Sequence, residues 1–203
     1  VYSKTSEANV KGSKWHNLYQ YNLNSEEEEQ LTFDLRLSSP IYDIKSNRIF
    51  AINTFDGTSN VMMNNNDLDF STYEQITDFN NGIQIYSLTL ENDLIIYDAV
   101  HSHGRDLYYI NTSNNEQGIY EENDWDSRDP NIIDDKLITS NDKHGIFNLF
   151  YQDKDYSGYL TNVLGGAFMP CFSKDNKIAF SIYENGKYNI AILNEVQTIT
   201  NHI

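Results

Sequence analysis

The chain is short of several things, and each shortage excludes a class of protein. It has one cysteine, Cys171, in 203 residues, which rules out an internal disulfide framework or a zinc finger built on cysteines. Cations are scarce too. Fourteen Lys and Arg stand against 30 Asp and Glu, for a formal net charge of −16. A surface of that sign repels phosphate backbones, so nucleic acid is not an expected partner. No apolar run approaches the roughly 20 residues of a membrane-crossing helix, and no transmembrane segment is expected. No apolar 3.6-residue period is sustained, so no helix is expected either. An initiator Met and a signal peptide are both missing, and a piece of a longer protein is the expectation. Prolines number 3 and glycines 10, few enough that their positions carry information.

Tyrosine and phenylalanine are plentiful, at 15 and 10, a composition that leans towards β-structure. The scarce residues fall in a repeat. Asn or Asp anchors stand at Asn17, Asn60, Asp106, Asn148 and Asn189, in steps of 43, 46, 42 and 41. Glycines Gly57, Gly104, Gly145 and Gly186 step by 47, 41 and 41. Pro40, Pro130 and Pro170 precede the next anchor by 20, 18 and 19 residues, and Gln84 holds that slot in the second copy. Leu31-Thr32, Ile76-Thr77 and Leu160-Thr161 open three units, with Ile119-Tyr120 as the stand-in for the third. Each unit holds about four short β-like runs, which suits a four-stranded propeller blade. Asp-Gly and Asn-Gly tolerate positive φ and favour tight hairpins, and His before Gly is a tolerable substitute. A proline is expected at a strand entrance, where no ladder bond is lost. The expected fold class is therefore all-β: a propeller, or part of one, of four-stranded antiparallel blades. One propeller region over 1–203 is expected, with a partial blade over 1–30 and blades near 31–75, 76–118, 119–159 and 160–203.

The unit pattern Leu-Thr, Pro, Ser-x-Asp-x-x-Ile-x-Phe, Gly, Asn-Ile/Leu-Tyr resembles the TolB-type, WD-like propeller repeat, best in residues 31–63 and 160–193. The stretch from Gly165-Gly166 to Asn189-Ile190-Ala191 is similar to propellers of bacterial outer-membrane-associated proteins. The resemblance implies a periplasmic or outer-membrane-associated location and a scaffold used in many roles.

Candidate chemistry is thin. His101-x-His103 has metal-like spacing on a strand, but His103 and His144 share one repeat phase before the turn glycine, which turn chemistry explains. Glu26-Glu27-Glu28-Glu29 reads as a solvated loop. Asn64–Asp69 and Asp124–Asp129 are spaced for calcium without the register of an EF-hand loop. No Gly-x-Ser-x-Gly elbow occurs. Gly165-Gly166 is too short for a phosphate loop. Cys171 reads as a small buried hydrophobe, Trp15 as a packing or loop-anchoring residue. No catalytic residue, metal or cofactor is assigned.

The reading is a non-catalytic scaffold that binds a protein or peptide, of basic character, through loops at one end. Trp125, Asp126, Arg128, His101 and His103 are the candidate loop surface. The alternative is the gating propeller of a prolyl-oligopeptidase-like serine peptidase with its catalytic residues elsewhere. A carbohydrate-active propeller, with carboxylates inside a ring, is a third reading.

Overall fold

Asp56-Gly57 and Asn185-Gly186 both take positive φ, at 49° and 76° and at 52° and 78°, the geometry of two-residue hairpin turns whose twist matches the strands. Asp134-Asp135 does the same without glycine, at 50° and 57°. Turns of this kind fold the chain into antiparallel meanders. The computed structural model describes residues 1–66, 69–101, 104–197 and 199, with only the backbone at 65, 66 and 69–71.

The chain divides into two compact units, 1–86 and 87–203. In the first, β1 (Tyr2–Thr5), β2 (His16–Asn22) and β3 (Glu27–Gln30) form one sheet, and β4 (Leu37–Asp43), β5 (Arg48–Phe55), β6 (Thr58–Asn66) and β7 (Asp69–Gln75) form the next. The unit boundary lies within β8 (Gln84–Glu91), which joins β9 (Leu94–His101), β10 (Gly104–Asn111) and β11 (Glu116–Glu121). A second four-stranded sheet holds β12 (Ser127–Ile133), β13 (Lys136–Asn141), β14 (Asn148–Gln152) and β15 (Ser157–Tyr159). The last, β16 (Ala167–Phe172), β17 (Ile178–Glu184) and β18 (Lys187–Leu193), is three-stranded. The fold is all-β, a propeller of antiparallel blades. Among the described residues no helix is long and apolar enough to cross a membrane.

The repeat in the sequence is a buried hydrogen-bond staple. The Thr hydroxyl of each hydrophobic-Thr pair accepts the amide of the residue after the anchor: Leu18 to Thr32 at 2.8 Å, Val61 to Thr77 and Leu149 to Thr161 at 2.9 Å. The anchor side chain accepts the amide two residues past the Thr: Asp34 on Asn17, Phe79 on Asn60 and Val163 on Asn148. Asp106 accepts from Asn123 at 3.0 Å. That bond puts Glu121 in the Thr slot, so the third unit's pair is Tyr120-Glu121 rather than Ile119-Tyr120. Periodic polar residues thus satisfy backbone groups that would otherwise be buried unpaired.

Four expectations are corrected. The prolines lie inside β4, β12 and β16, not at their entrances. Each sits at a bulge, where the register slips between Ser38 and Ile41, Arg128 and Asn131, and Phe168 and Cys171. A bulged residue is left unpaired, so a missing N–H is harmless there. The slip also decides Cys171. Phe172 turns to the core at 8% exposure, while Cys171, next to it, is exposed rather than buried. Glu27–Gln30 is an edge strand, not a loop. Its charge is placed by the pleat, with Glu28 bridged to Lys4 at 2.7 Å and Glu29 bonded to Gln20, and a charged edge resists further pairing. The segment Asp142–Phe147 is wider than a hairpin turn; Gly145 takes φ 84° and its amide bonds Asp142 O at 2.6 Å.

In the first unit the core joins Leu18, Leu31, Leu37, Ile49 and Ala51. Trp15 anchors its loop by donating to Asp34 at 3.0 Å, with Arg36 over its ring. In the second unit Ile96, Leu107 and Leu137 pack together, and Ile138, Leu149, Tyr151 and Leu160 pack on Ala167, Phe172, Ile178 and Phe180. The Gly165-Gly166 doublet serves this last sheet. A Cβ at Gly165 would lie 1.8 Å from Tyr183 O. Gly165→Ala is expected to destabilise the protein by roughly 3 kcal/mol, as overpacking against backbone does. Urea unfolding would show it; an unchanged midpoint would mean the loop moves freely aside.

Candidate binding surface

In an antiparallel meander, the loop entering the first strand and the turn joining the second to the third lie at the same end. In the second unit this end gathers 122–126, 142–147 and 162–166, together with the end of β9. Asp126 locks two of these segments. Its amide donates to Asp142 Oδ1 at 2.9 Å, its carbonyl accepts the Asp142 amide, and its Oδ1 accepts the Arg105 amide at 3.0 Å. Trp125, half-buried, lies under Lys143, whose Nζ is 4.5 Å from the ring centroid. The Trp125 indole N–H is buried without a hydrogen-bond partner among the described residues.

Beneath these loops lies a buried ion network. Asp98 is fully buried; it accepts the Ser87 amide at 2.9 Å, the Ser87 hydroxyl, and the Arg105 guanidinium. Arg105 also faces Asp129 at 3.6 Å. Asp129 accepts from Arg128 Nε at 3.2 Å and from the Met169 amide at 3.1 Å. The Arg128 guanidinium is held over Phe147 and Phe168, at 5.4 and 5.3 Å, a cation–π contact on each ring. Burial raises the Asp98 carboxyl above the ordinary carboxylate range; Arg105 and the Ser87 hydroxyl oppose the shift, and Asp129 adds to it. Two cations and two carboxylates alternate, so the network is balanced in charge and serves to join β9, β10, β12 and β16.

Of the five residues expected at the loop surface, Asp126 and Arg128 connect to this network and Trp125 sits beside Asp126. His101 stands at the end of β9, stacked on Tyr108 with centroids 5.6 Å apart. His103 lies outside the described residues, as do Asp67 and Leu68 of the Asn64–Asp69 segment and His202. In Asp124–Asp129, Asp126 and Asp129 spend their oxygens on Arg105, Arg128 and backbone amides rather than converging on a point. Among the described residues, no three His, Cys, Asp or Glu are grouped to hold a metal. Beside this end an open groove of about 650 Å³ is lined by Asn162–Gly165 and Ile182–Asn185.

The sequence reading missed Asp98 and Arg105 and placed Asp129 only in a calcium-spaced segment, and one signal was there. Asp98 is a lone charge inside Ile95-Ile96-Tyr97-Asp98-Ala99-Val100, and a charge in a buried apolar strand needs a partner. Nothing local names Arg105 as that partner; the β9–β10 hairpin brings it there.

Comparison of the structure with solved ones places the fold. TolB from Acinetobacter baumannii superposes with a TM-score of 0.75 at 17% identity, over 91% of this chain and 47% of that one. The fold is that of a TolB-like β-propeller. A protein designated TolB from Agrobacterium tumefaciens gives a TM-score of 0.72 at 11% identity, covering 95% of this chain and 76% of that one. A prolyl endopeptidase structure gives 0.61 at 8% identity, over 90% and 31%. The TolB-like propeller described here thus spans about half the length of the Acinetobacter protein. No family model matches the chain, and no curated protein does.

Proposed function

We propose that this TolB-like propeller is a non-catalytic scaffold of the bacterial cell envelope that binds a basic protein or peptide at the loop end of its second unit. The observation that carries this reading is the fixed set of loops around Trp125. Asp126 pins that loop to β10 and to Asp142, so an aromatic ring and nearby carboxylates are held in place without the partner having to order them. Aromatic anchors in a fixed frame are what interfaces use most, and the surrounding acidity favours cationic ligands. The envelope location rests on the resemblance of the repeat and of the fold.

The test is titration with synthetic peptides of matched length, Lys/Arg-rich or Asp/Glu-rich, followed by calorimetry at low and physiological salt. Binding of the basic set only is expected, weakening with salt, and Trp125→Ala should reduce affinity about 10-fold. Equal binding of both sets, or no effect at Trp125, would reject the site. The likeness to a prolyl endopeptidase supports a second reading, a propeller that gates a peptidase domain elsewhere in the polypeptide. Hydrolysis of proline-containing peptides by the protein isolated from its native source would select it.

A further inference from the structure

One end of the first unit runs against the charge of the chain. Residues 1–16 hold Lys4, Lys11 and Lys14 against one acid, Glu7. Lys4 is paired with Glu28. Lys14 and Arg36 pair with no carboxylate among the described residues. Both line an open groove of about 360 Å³, together with Ser13, Trp15, His16 and Ser38. The groove lies where the loop entering β2 meets the segment entering β4.

Arg36 is set apart from the other arginines. Of the four in the chain, three donate to protein oxygens: Arg48 to Asn64 O, Arg105 to Asp98 and Arg128 to Asp129. The Arg36 guanidinium donates to none among the described residues, yet it is held in place. Its Cζ lies 5.4 Å from the Trp15 ring centroid and 5.7 Å from that of Phe55. Trp15 is fixed in turn. Its indole donates to Asp34 at 3.0 Å, its amide to Ser6 Oγ at 3.2 Å, and its carbonyl accepts the Ser6 amide at 2.7 Å. The loop that carries Lys14 is closed by Asn9, whose Oδ1 accepts the Lys11 and Ser13 amides. Arg36 takes φ 54°, a region that glycine or asparagine occupies at lower cost. What arginine adds there is its side chain.

A guanidinium with its fork unused, an ammonium and hydroxyl groups around one groove form a donor set for a tetrahedral oxyanion. A carboxylate has two oxygens and would need only the fork. We propose that this groove binds a phosphate monoester, with the Arg36 fork on two of its oxygens and Lys14 beside a third as a point charge. Ser13 and Ser38 supply hydroxyls at the rim, and the Trp15 ring forms a wall for the group that carries the phosphate. Asp34 is the carboxylate beside the groove, and it is engaged by the Trp15 indole, so two cations outweigh it. The acidity of the rest of the chain repels long polyanions, and an isolated phosphate group therefore fits where a nucleic-acid backbone does not. The site lies in the first unit and selects the opposite charge from the one proposed for the loops around Trp125.

The test follows Trp15 fluorescence in the Trp125→Phe protein, titrated with glycerol 3-phosphate at constant ionic strength, with succinate as the carboxylate control. A saturable change with glycerol 3-phosphate and none with succinate is expected. Arg36→Lys keeps the charge and loses the fork, and should weaken binding about 10-fold, while Lys14→Gln should weaken it about 3-fold. Both side chains are exposed, so melting temperatures should not change. Arginine Nε–H signals in nitrogen-15 spectra of the unaltered protein give a second readout that needs no variant to fold: the Arg36 signal should move and the other three should not. Vesicles of phosphatidylcholine with phosphatidic acid separate the sources. Tighter binding to vesicles than to free glycerol 3-phosphate at matched phosphate identifies a lipid headgroup; binding of the free ester alone identifies a soluble one. No saturable response, an equal response to succinate, full affinity in Arg36→Lys, or movement of a different arginine signal would overturn the proposal.

Discussion

Arg105→Met is expected to destabilise the second unit by about 3–5 kcal/mol, the loss seen when one partner of a buried ion pair is removed. The side chain of Arg105 is 8% exposed and that of Asp98 0%, so the carboxylate left behind has no water to take the guanidinium's place. Asp129 loses a neighbour as well. Chemical denaturation at neutral pH measures the effect, and a loss below about 1 kcal/mol would show that the network is hydrated or yields. The deficit also depends on pH. A buried carboxyl with a raised pKa holds its proton on folding at pH values where the unfolded chain has released it, so its contribution falls as pH rises through that window. Asp98 is such a group. Without Arg105 it should take a proton more readily still, and the deficit of the variant should shrink on acidification. Replacing Asp98 and Arg105 together with Leu and Met should recover much of the loss, because no charge is then stranded.

Asn148→Leu is expected to destabilise by about 2–4 kcal/mol. Asn148 Oδ1 accepts both the Thr161 hydroxyl and the Val163 amide at 2.9 Å, and Asn148 is 7% exposed. Leucine fills the volume but strands two donors in a dry place, at about 1–3 kcal/mol each. Asn189 holds the same repeat position, but among the described residues its sheet has three strands and no fourth one to bring a Thr to the staple, so Asn189→Leu in the 203-residue chain should change stability by under about 0.5 kcal/mol. Thermal and urea unfolding of the two variants side by side checks the pair. Equal losses would mean that the anchor acts through its own hairpin and not through burial of the staple.

These two residues show how differently the parts of the molecule were written in the sequence. Asn148 belongs to a staple that spans one hairpin, so its partner Thr161 is 13 residues away, and Asn17/Thr32 and Asn60/Thr77 repeat the pair at separations of 15 and 17. Such local chemistry leaves a period, and the period is what made the blades legible. The turns at Asp56-Gly57 and Asn185-Gly186 were legible for the same reason, since the residue types alone permit their φ values. Arg105 is harder to see. Its hairpin partner Asp98 is local, but Asp129 and the Phe147–Arg128–Phe168 stack come from other sheets, and no spacing rule connects them. Trp125, Asp126, Arg128 and His101 were picked out by residue type, and the structure gives each a definite neighbour that the type did not name.

By itself the amino-acid sequence determined the β-class, the repeat and its phase, because strand alternation, turn residues and staples all act within about one blade. Only the tertiary structure decided which faces are covered. Leu149 and Ile190 have the same local surroundings and the same kind of side chain, yet one is 0% and the other 83% exposed. Burial is a property of what packs across the sheet, and the apolar contact that stabilises it depends on area removed from water, not on neighbours along the chain. The bulge at Met169-Pro170 makes the same point at a single residue. A one-residue slip in register turned Cys171 outwards and Phe172 inwards, since side chains alternate with a period of two and any slip exchanges the faces.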